Sequence, residues 1–299
     1  MTAVVGAVAG AAVLGTRRIE AADKRKLAAA AKPAVIVADD GTHVFYKDWG
    51  SGRPIVLVHG WALQSDFWEY LMMGLVGEGL RTVVYDRRGH GRSGDPGTRF
   101  DYDRLADDLA SVIRTLDLRD ITLVGHSMGG GEVIRYLSRH GAARVARAVL
   151  IAPTAPLIVK APDYPEGVDK AGLDGLRAAL LKDRAKWVGD NSAGFWAGGA
   201  SPELMEWGQR MPLQCSLKTM VEATHVMSET DFRAELRRIR VPTLVVHGTA
   251  DRSIPIEFGR RAVALLPQGR IEEYEGAPHG LPVTHGERLV KDLVAFIDA

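Results

Sequence analysis

The stretch from Ile121 to Tyr136 constrains this chain more than any other. Ile121-Thr122-Leu123-Val124 reads as a short strand, Gly125-His126-Ser127-Met128-Gly129 fits G-x-S-x-G, and Val133, Ile134 and Leu137 follow at helical spacing. A serine at so sharp a strand-to-helix turn takes a positive φ, and its hydroxyl stands clear of the backbone. The flanking glycines are needed because a side chain at either place would collide across the turn. The helix beginning there directs its free N–H groups at any anion forming beside Ser127. A bare glycine-rich turn of an α/β protein is the competing reading, and the rest of the chain has to decide between them.

The surrounding sequence supplies an α/β frame. Val35-Ile36-Val37 and His43–Tyr46 flank Asp39-Asp40-Gly41-Thr42, a hairpin with an Asp-Gly turn. Pro54–Val58, Thr82–Tyr85 and Ala148–Ile151 are apolar runs without alternation, as expected of strands buried on both faces of a parallel sheet. Tyr102 to Leu116 places Leu105, Leu109, Val112, Ile113 and Leu116 on one helical face. From Pro153 to Ile239 no strand is legible, and helices are expected over Leu173–Val188, Pro202–Met211, Ser216–Met227 and Phe232–Ile239. Alternation then resumes with a strand over Pro242–His247, a helix over Ile256–Leu266, a strand over Arg270–Tyr274 and a closing helix over Glu287–Ile297. The fold class is therefore α/β, a mostly parallel twisted sheet with helices on both faces and a helical cap inserted after the sixth strand. The core is expected over residues 34–152 and 240–299, and the cap over 153–239.

Residues 1–33 read as a leader. Thr2 to Leu14 is apolar but too short to span a bilayer. Its length suits a signal-peptide core and Ala28–Ala31 a cleavage region, yet the basic residues Arg17, Arg18, Lys24, Arg25 and Lys26 follow it instead of preceding it. A cytoplasmic location is the first expectation, with export or a periplasmic destination as the alternative if residues 2–31 act as a signal. The net charge of +1, from 38 basic and 37 acidic residues, offers no footprint for nucleic acid. A single cysteine, Cys215, excludes an internal disulfide framework and a multi-cysteine metal site, and it is expected to be a small buried hydrophobe.

A serine nucleophile needs a base, an orienting acid and an oxyanion hole, and groups of that kind gather beyond the carboxyl ends of the strands. The strand ending at His247 is followed by Gly248-Thr249-Ala250-Asp251, and the one ending at Tyr274 by Glu275-Gly276-Ala277-Pro278-His279. Ser127, Asp251 and His279 thus fall on one rim. His285 competes with His279 but lies at the start of the last helix, and the ring of His126 is expected to point away from its neighbour Ser127. The oxyanion donors are expected to be the backbone N–H groups of Met128 and of Trp61, with Gly60 allowing close approach. His59 and the segment Asp86–Gly94 read as braces for that rim. No cofactor and no metal is called for, and no G-x-x-x-x-G-K-[ST] occurs.

On these residues the chain resembles the α/β-hydrolase superfamily from Val35 to Ala299, and more narrowly the bacterial cofactor-free haloperoxidases, esterases and perhydrolases. The matching segments are His59-Gly60-Trp61, Asp86–Gly94, Gly125–Glu132, Ser228–Phe232, Pro242–Asp251 and Gly276–Leu281. The resemblance implies the order serine, acid, histidine found here, catalytic roles for Ser127, Asp251 and His279, and oxyanion roles for the Trp61 and Met128 amides. Ala62 stands where many such relatives have proline, and Met128 where several have threonine.

The expected activity is cleavage of carboxylic esters through an acyl-enzyme on Ser127. The resemblance adds a perhydrolase side activity, hydrogen peroxide replacing water. Serine at position 127 argues against a dehalogenase or an epoxide hydrolase. A lactonase or C–C bond hydrolase with the same triad, or a slow-turnover ligand receptor of the same fold, remain the alternatives. The partner is a small-molecule ester, with no nucleic acid and no stable membrane span. The cap carries Trp187, Phe195, Trp196, Met205, Trp207, Met211, Met220 and Met227. Most should form its own core, with Trp61, Phe195 and Trp196 expected as the pocket wall.

Overall fold

The computed structural model describes residues 35–299. The expectation for the leader lies outside the described residues. Among them, eight strands form one sheet: β1 (Val35–Val37), β2 (His43–Trp49), β3 (Pro54–Val58), β4 (Arg81–Tyr85), β5 (Ile121–His126), β6 (Val145–Ile151), β7 (Thr243–Gly248) and β8 (Gly269–Tyr274). Their spatial order is β1-β2-β4-β3-β5-β6-β7-β8. The β1–β2 and β2–β4 pairs are antiparallel and the remaining pairs parallel. Successive strands depart to opposite sides of β3, so the crevice beyond the carboxyl ends of β3 and β5 is the place where such a sheet opens for a ligand.

The apolar runs lack alternation because both sheet faces are covered. In β3, Ile55 and Leu57 enter one core while Val56 and Val58 enter the other. In β6, Val149 and Ile151 separate from Ala148 and Leu150 in the same way. One face is covered by α2 (Tyr102–Thr115) and α3 (Met128–His140), the other by α1 (Glu69–Gly77) and the closing helix Gly286–Asp298. Each fully buried Val, Ile or Leu contributes about 1.5–3 kcal/mol, so the rim of this sheet is a stiff mount. The helix α1 was not legible in the sequence: Gly74 and Gly77 interrupt its apolar pattern of Leu71, Met72 and Leu75.

Between β6 and β7 lie α4 (Lys170–Lys182), α5 (Arg184–Trp196), α6 (Pro202–Gln214), α7 (Leu217–Glu229) and the short α8 (Arg233–Leu236). The helix expected over Leu173–Val188 is two helices. Asp183 leaves helical geometry at φ −158, and its carboxylate accepts from the Lys186 N–H at 2.9 Å, which caps α5 and ends α4. Ser201 and Ser216 cap α6 and α7 by the same bond. The only pairing in this stretch among the described residues is a pair of isolated bridges, Val159 with Val168 and Ala161 with Tyr164. After β7 come α9 (Ile256–Leu265), the single turn α10 (Leu281–Thr284) and α11 (Gly286–Asp298).

The first hairpin differs in detail from its expectation. The register pairs Val37 with His43, so residues 38–42 make a longer loop instead of a two-residue turn. The Asp40 carboxylate accepts from the Thr42 N–H at 3.0 Å and Gly41 adopts φ +83. The bend stays at Asp40-Gly41, and Asp40 serves it with its side chain.

Candidate active site

Ser127 sits between β5 and α3 at φ 54, ψ −120, a conformation that costs a non-glycine residue on the order of 1–3 kcal/mol. The surroundings enforce it. The Ser127 N–H donates to the Ile151 carbonyl at 2.8 Å, and its carbonyl accepts from Gly130 at 2.9 Å and Thr154 at 3.3 Å. A side chain on Gly125 would meet the Gly129 carbonyl at 2.3 Å, and one on Gly129 the Val58 carbonyl at 2.4 Å. The two motif glycines are therefore required by contacts between backbones.

Asp251 and His279 lie beyond the carboxyl ends of β7 and β8. His279 Nδ1 is 2.6 Å from Asp251 Oδ2, and both side chains are almost fully buried. The other oxygen, Oδ1, accepts from the Ser253 and Ile254 N–H groups, each at 2.8 Å. Burial alone would raise the Asp251 carboxyl. The charge of His279 and hydrogen bonds from His247, His279 and the Ile254 N–H outweigh it and hold the group well below the usual carboxylate range. An ionised Asp251 is an acceptor only, so His279 carries a proton on Nδ1, and the neutral ring has its free lone pair on Nε2. His247 completes the arrangement: its Nε2 donates to the Ile254 carbonyl at 2.8 Å and lies 3.4 Å from Asp251 Oδ2.

His126 departs from its expectation. Its ring does not leave the site but lies beside that of His279, centroids 4.7 Å apart. Its Nε2 meets the His279 carbonyl at 3.0 Å, so the residue before the serine fixes the backbone of the histidine loop. Burial, reinforced by the charge of His279, pushes its pKa well below the usual histidine range, which leaves the ring neutral. His285 stays apart, pairing with Thr284 Oγ1 at 2.9 Å.

The loop after β3 brings Gly60 and Trp61 to the serine. A side chain on Gly60 would stand 2.9 Å from His126 Nδ1 and 3.2 Å from Ser127 Cβ, so any larger residue would push against both. The Trp61 N–H donates to no acceptor among the described residues. Met128 is the first residue of α3, where an N–H has no intrahelical partner. Two unspent backbone donors thus flank Ser127. The Trp61 indole is anchored elsewhere, its Nε1 donating to the Met220 carbonyl of α7 at 2.9 Å. Ala62, at φ +56, holds a backbone that proline, fixed near φ −65, does not reach. This loop is therefore shaped differently from one carrying proline there.

These groups open on a cavity of about 350 Å³ lined by Ser127, His279, Gly60 and Trp61 from the sheet rim and by residues of α4–α7. Phe195 and Trp196, expected as wall, line it together with Trp61, and the Phe195 ring meets His279 edge-on at 5.3 Å. Of the other large residues of this segment, Trp187 and Met227 also face the cavity, whereas Met205, Trp207, Met211 and Met220 pack into cores. Leu176 and Val188 extend the apolar wall, and Asp190, Gln209 and Arg252 add polar groups. Cys215 is buried, its thiol pushed up to about 12 by burial against the pull of Arg87 and Arg184, which suits a packing role. Among the described residues no cluster of His, Cys, Asp or Glu could hold a metal ion, and no helix is long and apolar enough to cross a membrane.

Sequence reasoning expected His59 and Asp86–Gly94 as braces and missed the other supports. His247 gave a signal only as part of the strand before Asp251. Arg87 lies in the segment expected as a brace, but its partner was not legible: Arg87 Nε donates to Glu132 Oε2 at 2.7 Å, and Glu132, which also binds Tyr85, comes from α3.

With this geometry in place, comparison with known proteins gives consistent results. The model of the α/β hydrolase fold family matches residues 53–285. A non-heme haloperoxidase of Rhodococcus erythropolis is 42% identical over 272 residues, 88% of this chain and 99% of the relative. A bifunctional esterase/perhydrolase of Acinetobacter calcoaceticus is 39% identical over 88% of this chain and 98% of its own length. Among solved structures, a bromoperoxidase from Bacillus anthracis superposes with a TM-score of 0.85 at 33% identity, covering 89% of this chain and 99% of that one. An esterase from Exiguobacterium antarcticum gives 0.86 at 32% identity with the same coverage.

Proposed function

The chain belongs to the α/β-hydrolase family, within the group of the non-heme haloperoxidases and esterases, and on that premise we propose that it is a serine esterase working through an acyl-enzyme on Ser127. The observation that carries this reading is the 2.6 Å bond from His279 Nδ1 to Asp251, which leaves Nε2 bare in the cavity that Ser127 also lines. His279 takes the Ser127 proton as Oγ attacks the ester carbonyl, and Asp251 keeps the tautomer and offsets the imidazolium charge. The Trp61 and Met128 N–H groups receive the oxyanion. His279 then returns the proton to the leaving alkoxide, and water, deprotonated by the same ring, releases the acid.

Hydrogen peroxide is proposed as a second acceptor, on the strength of the esterase/perhydrolase relative. One peroxide oxygen attacks the acyl carbon, His279 takes its proton, the bond from carbonyl carbon to Ser127 Oγ breaks, and the proton passes to Oγ. The products are a peracid and free enzyme. Residues 153–239 act in this reading as a cap over the core of 34–152 and 240–299, and the mainly apolar cavity they line favours apolar or aromatic ester groups.

The test is turnover of short p-nitrophenyl esters together with labelling by a fluorophosphonate. Wild type turns over and labels. Ser127→Ala does neither, with kcat down by roughly 10⁶. A Ser127→Ala protein as active as wild type would overturn the reading. Peracid release is checked by adding peroxide and acetate and following halide oxidation.

A further inference from the structure

The loop that carries the Trp61 N–H is built on glycine, and glycine makes a peptide flip at Gly60–Trp61 cheap in backbone energy. In a trans peptide the carbonyl and the N–H point in opposite directions. A flip would bring the Gly60 carbonyl into the site and turn the Trp61 N–H out of it, leaving a hole that repels the oxyanion. Something other than local preference has to choose the orientation.

We propose that Arg87, braced by Glu132 and acting with His59, is a positioning residue that holds the Gly60–Trp61 peptide with its N–H towards Ser127; the inference rests on the Trp61 amide being an oxyanion donor. Arg87 is buried, 1% exposed, and it spends its guanidinium on this loop. Nη2 donates to the His59 carbonyl at 2.7 Å and Nη1 to the Gly60 carbonyl at 3.4 Å, while Nε is held by Glu132. His59 is locked as well. Its Nε2 accepts from the Arg87 backbone N–H at 3.0 Å, so the proton lies on Nδ1, which donates to the Gly60 carbonyl at 2.8 Å. The Leu63 N–H adds a further bond at 3.3 Å. Three donors therefore converge on the Gly60 carbonyl, and the two side chains among them, Arg87 and His59, are buried and do not line the cavity.

Flipping the peptide would strip all three of their acceptor and leave Arg87 Nη1 and His59 Nδ1 without it in the core, where an unsatisfied polar group is costly. Glu132 keeps the guanidinium in place, with Tyr85 hydrogen-bonded to its other oxygen. Lysine has a single donor head and does not reproduce the fork that meets Glu132 and two successive carbonyls together. A buried ion pair is a poor source of stability when an apolar pair of similar size could replace it. Its position beneath the loop gives it a different use, the orientation of one peptide.

The experiment compares Arg87→Lys, the double change Arg87→Met with Glu132→Gln, His59→Leu and His59→Asn in the full chain. The readouts are p-nitrophenyl acetate kinetics and inhibition by phenylboronic acid, whose tetrahedral serine adduct uses the oxyanion hole. The expected result is a kcat lower by roughly 10–100-fold with KM near wild type, and a phenylboronic acid Ki raised by the same factor. His59→Asn keeps a donor at the Nδ1 position and should recover most of the loss seen in His59→Leu. If the arginine variants do not fold, His59→Leu, which leaves every charge in place, decides. Unchanged kcat, boronate affinity that does not follow kcat, or a His59→Asn as poor as His59→Leu would overturn the proposal. An inactive, unlabelled Ser127→Ala beside unaffected Arg87 and His59 variants overturns the positioning role alone. An active Ser127→Ala overturns both readings.

Discussion

The sheet rim and the helical segment between β6 and β7 face each other across one cavity, yet they are built by opposite rules. The helix α3, which carries the serine turn, buries nine of its 13 residues, whereas α6, of the same length, buries only Met211. On the rim each proposed reacting group is fixed by buried hydrogen bonds: Ser127 by the Ile151 carbonyl, Asp251 by two N–H groups, and His279 by the side chains of Asp251 and His126. The segment instead presents side chains from capped helices whose outer faces carry exposed pairs such as Lys186–Asp190 and Lys218–Glu222. Such surface pairs contribute at most about 1 kcal/mol each. The contrast suggests a division of labour in which the rim sets the reaction type and the segment selects what is brought to it. A substitution on the rim should change kcat for every substrate, while one in the segment should change the ranking of substrates.

After the loss of Ser127 itself, the largest effect is expected at Asp251. Asp251→Asn keeps the shape of the side chain but places an N–H₂ or a neutral oxygen where His279 Nδ1–H now donates. The imidazole then loses the partner that fixes its tautomer and stabilises its charge. A fall in kcat of roughly 10⁴ is expected, equal for acetate, butyrate and benzoate esters. A loss that differs tenfold or more between those esters would break the division, because it would make a rim residue a selector.

The converse arm lies in the segment. Trp187→Ala and Met227→Ala each remove apolar wall from the cavity without touching His279 or Ser127. One or a few lost hydrophobic contacts in a pocket are worth about 1–3 kcal/mol. The kcat/KM for p-nitrophenyl benzoate and butyrate should fall about 10–100-fold, with p-nitrophenyl acetate within about threefold of wild type. A uniform loss across the three esters would show that these residues act on the chemistry. Trp187 is the sharper probe, since it packs edge-on against Trp61 at 5.2 Å, and a drop in kcat for acetate would reveal that the segment also steadies the oxyanion loop.

The same division decides what was legible in the sequence. The elbow, the β7 and β8 strand ends and the double-faced sheet are visible because local rules dictate them. Gly125 and Gly129 answer a collision between backbones, Asp251 follows an apolar run that can only be a buried strand, and His279 follows the next strand, the half-exposed edge of the sheet. The wall could be assigned only in part. Trp187, Phe195, Trp196 and Met227 line the cavity while Met205, Trp207, Met211 and Met220 do not. Helical spacing places all eight on apolar faces and says nothing about which face meets the sheet. The break at Asp183 was hidden for a related reason, since a capping aspartate inside a helical pattern looks like any exposed acid until its bond to Lys186 is seen. His126 was misplaced because its partner, the His279 carbonyl, is 153 residues away. Arg87 lay in the segment expected as a brace, but its pairing with Glu132 escaped because a buried ion pair joins two elements that share no local pattern.

The smallest of the effects tests the rim through stability alone. His59, His90 and His126 are fully buried in the core, whereas the one histidine of the helical segment, His225, is exposed. Burial, aided by the charge of Arg87, lowers His90 to about 3, and burial pushes His59 and His126 well below the usual range. An unfolded chain protonates a histidine near pH 6.5, but the folded protein leaves these three neutral. Between those values the unfolded state binds more protons, so stability rises with pH and is lost as the pH falls below about 6.5. Each buried neutral histidine then costs about 1.4 kcal/mol per pH unit. His90→Asn keeps a donor for the Arg88 carbonyl, which His90 Nδ1 now meets at 2.9 Å, and cannot take up a proton. Urea unfolding at pH 6.5 and 5.5 should therefore show His90→Asn losing about 1 kcal/mol less than wild type over that step, since the unfolded histidine is only half protonated at its start. Parallel losses would mean that His90 is protonated in the folded protein, and the rim would then yield to acid at a point where its hydrogen bonds say it should hold.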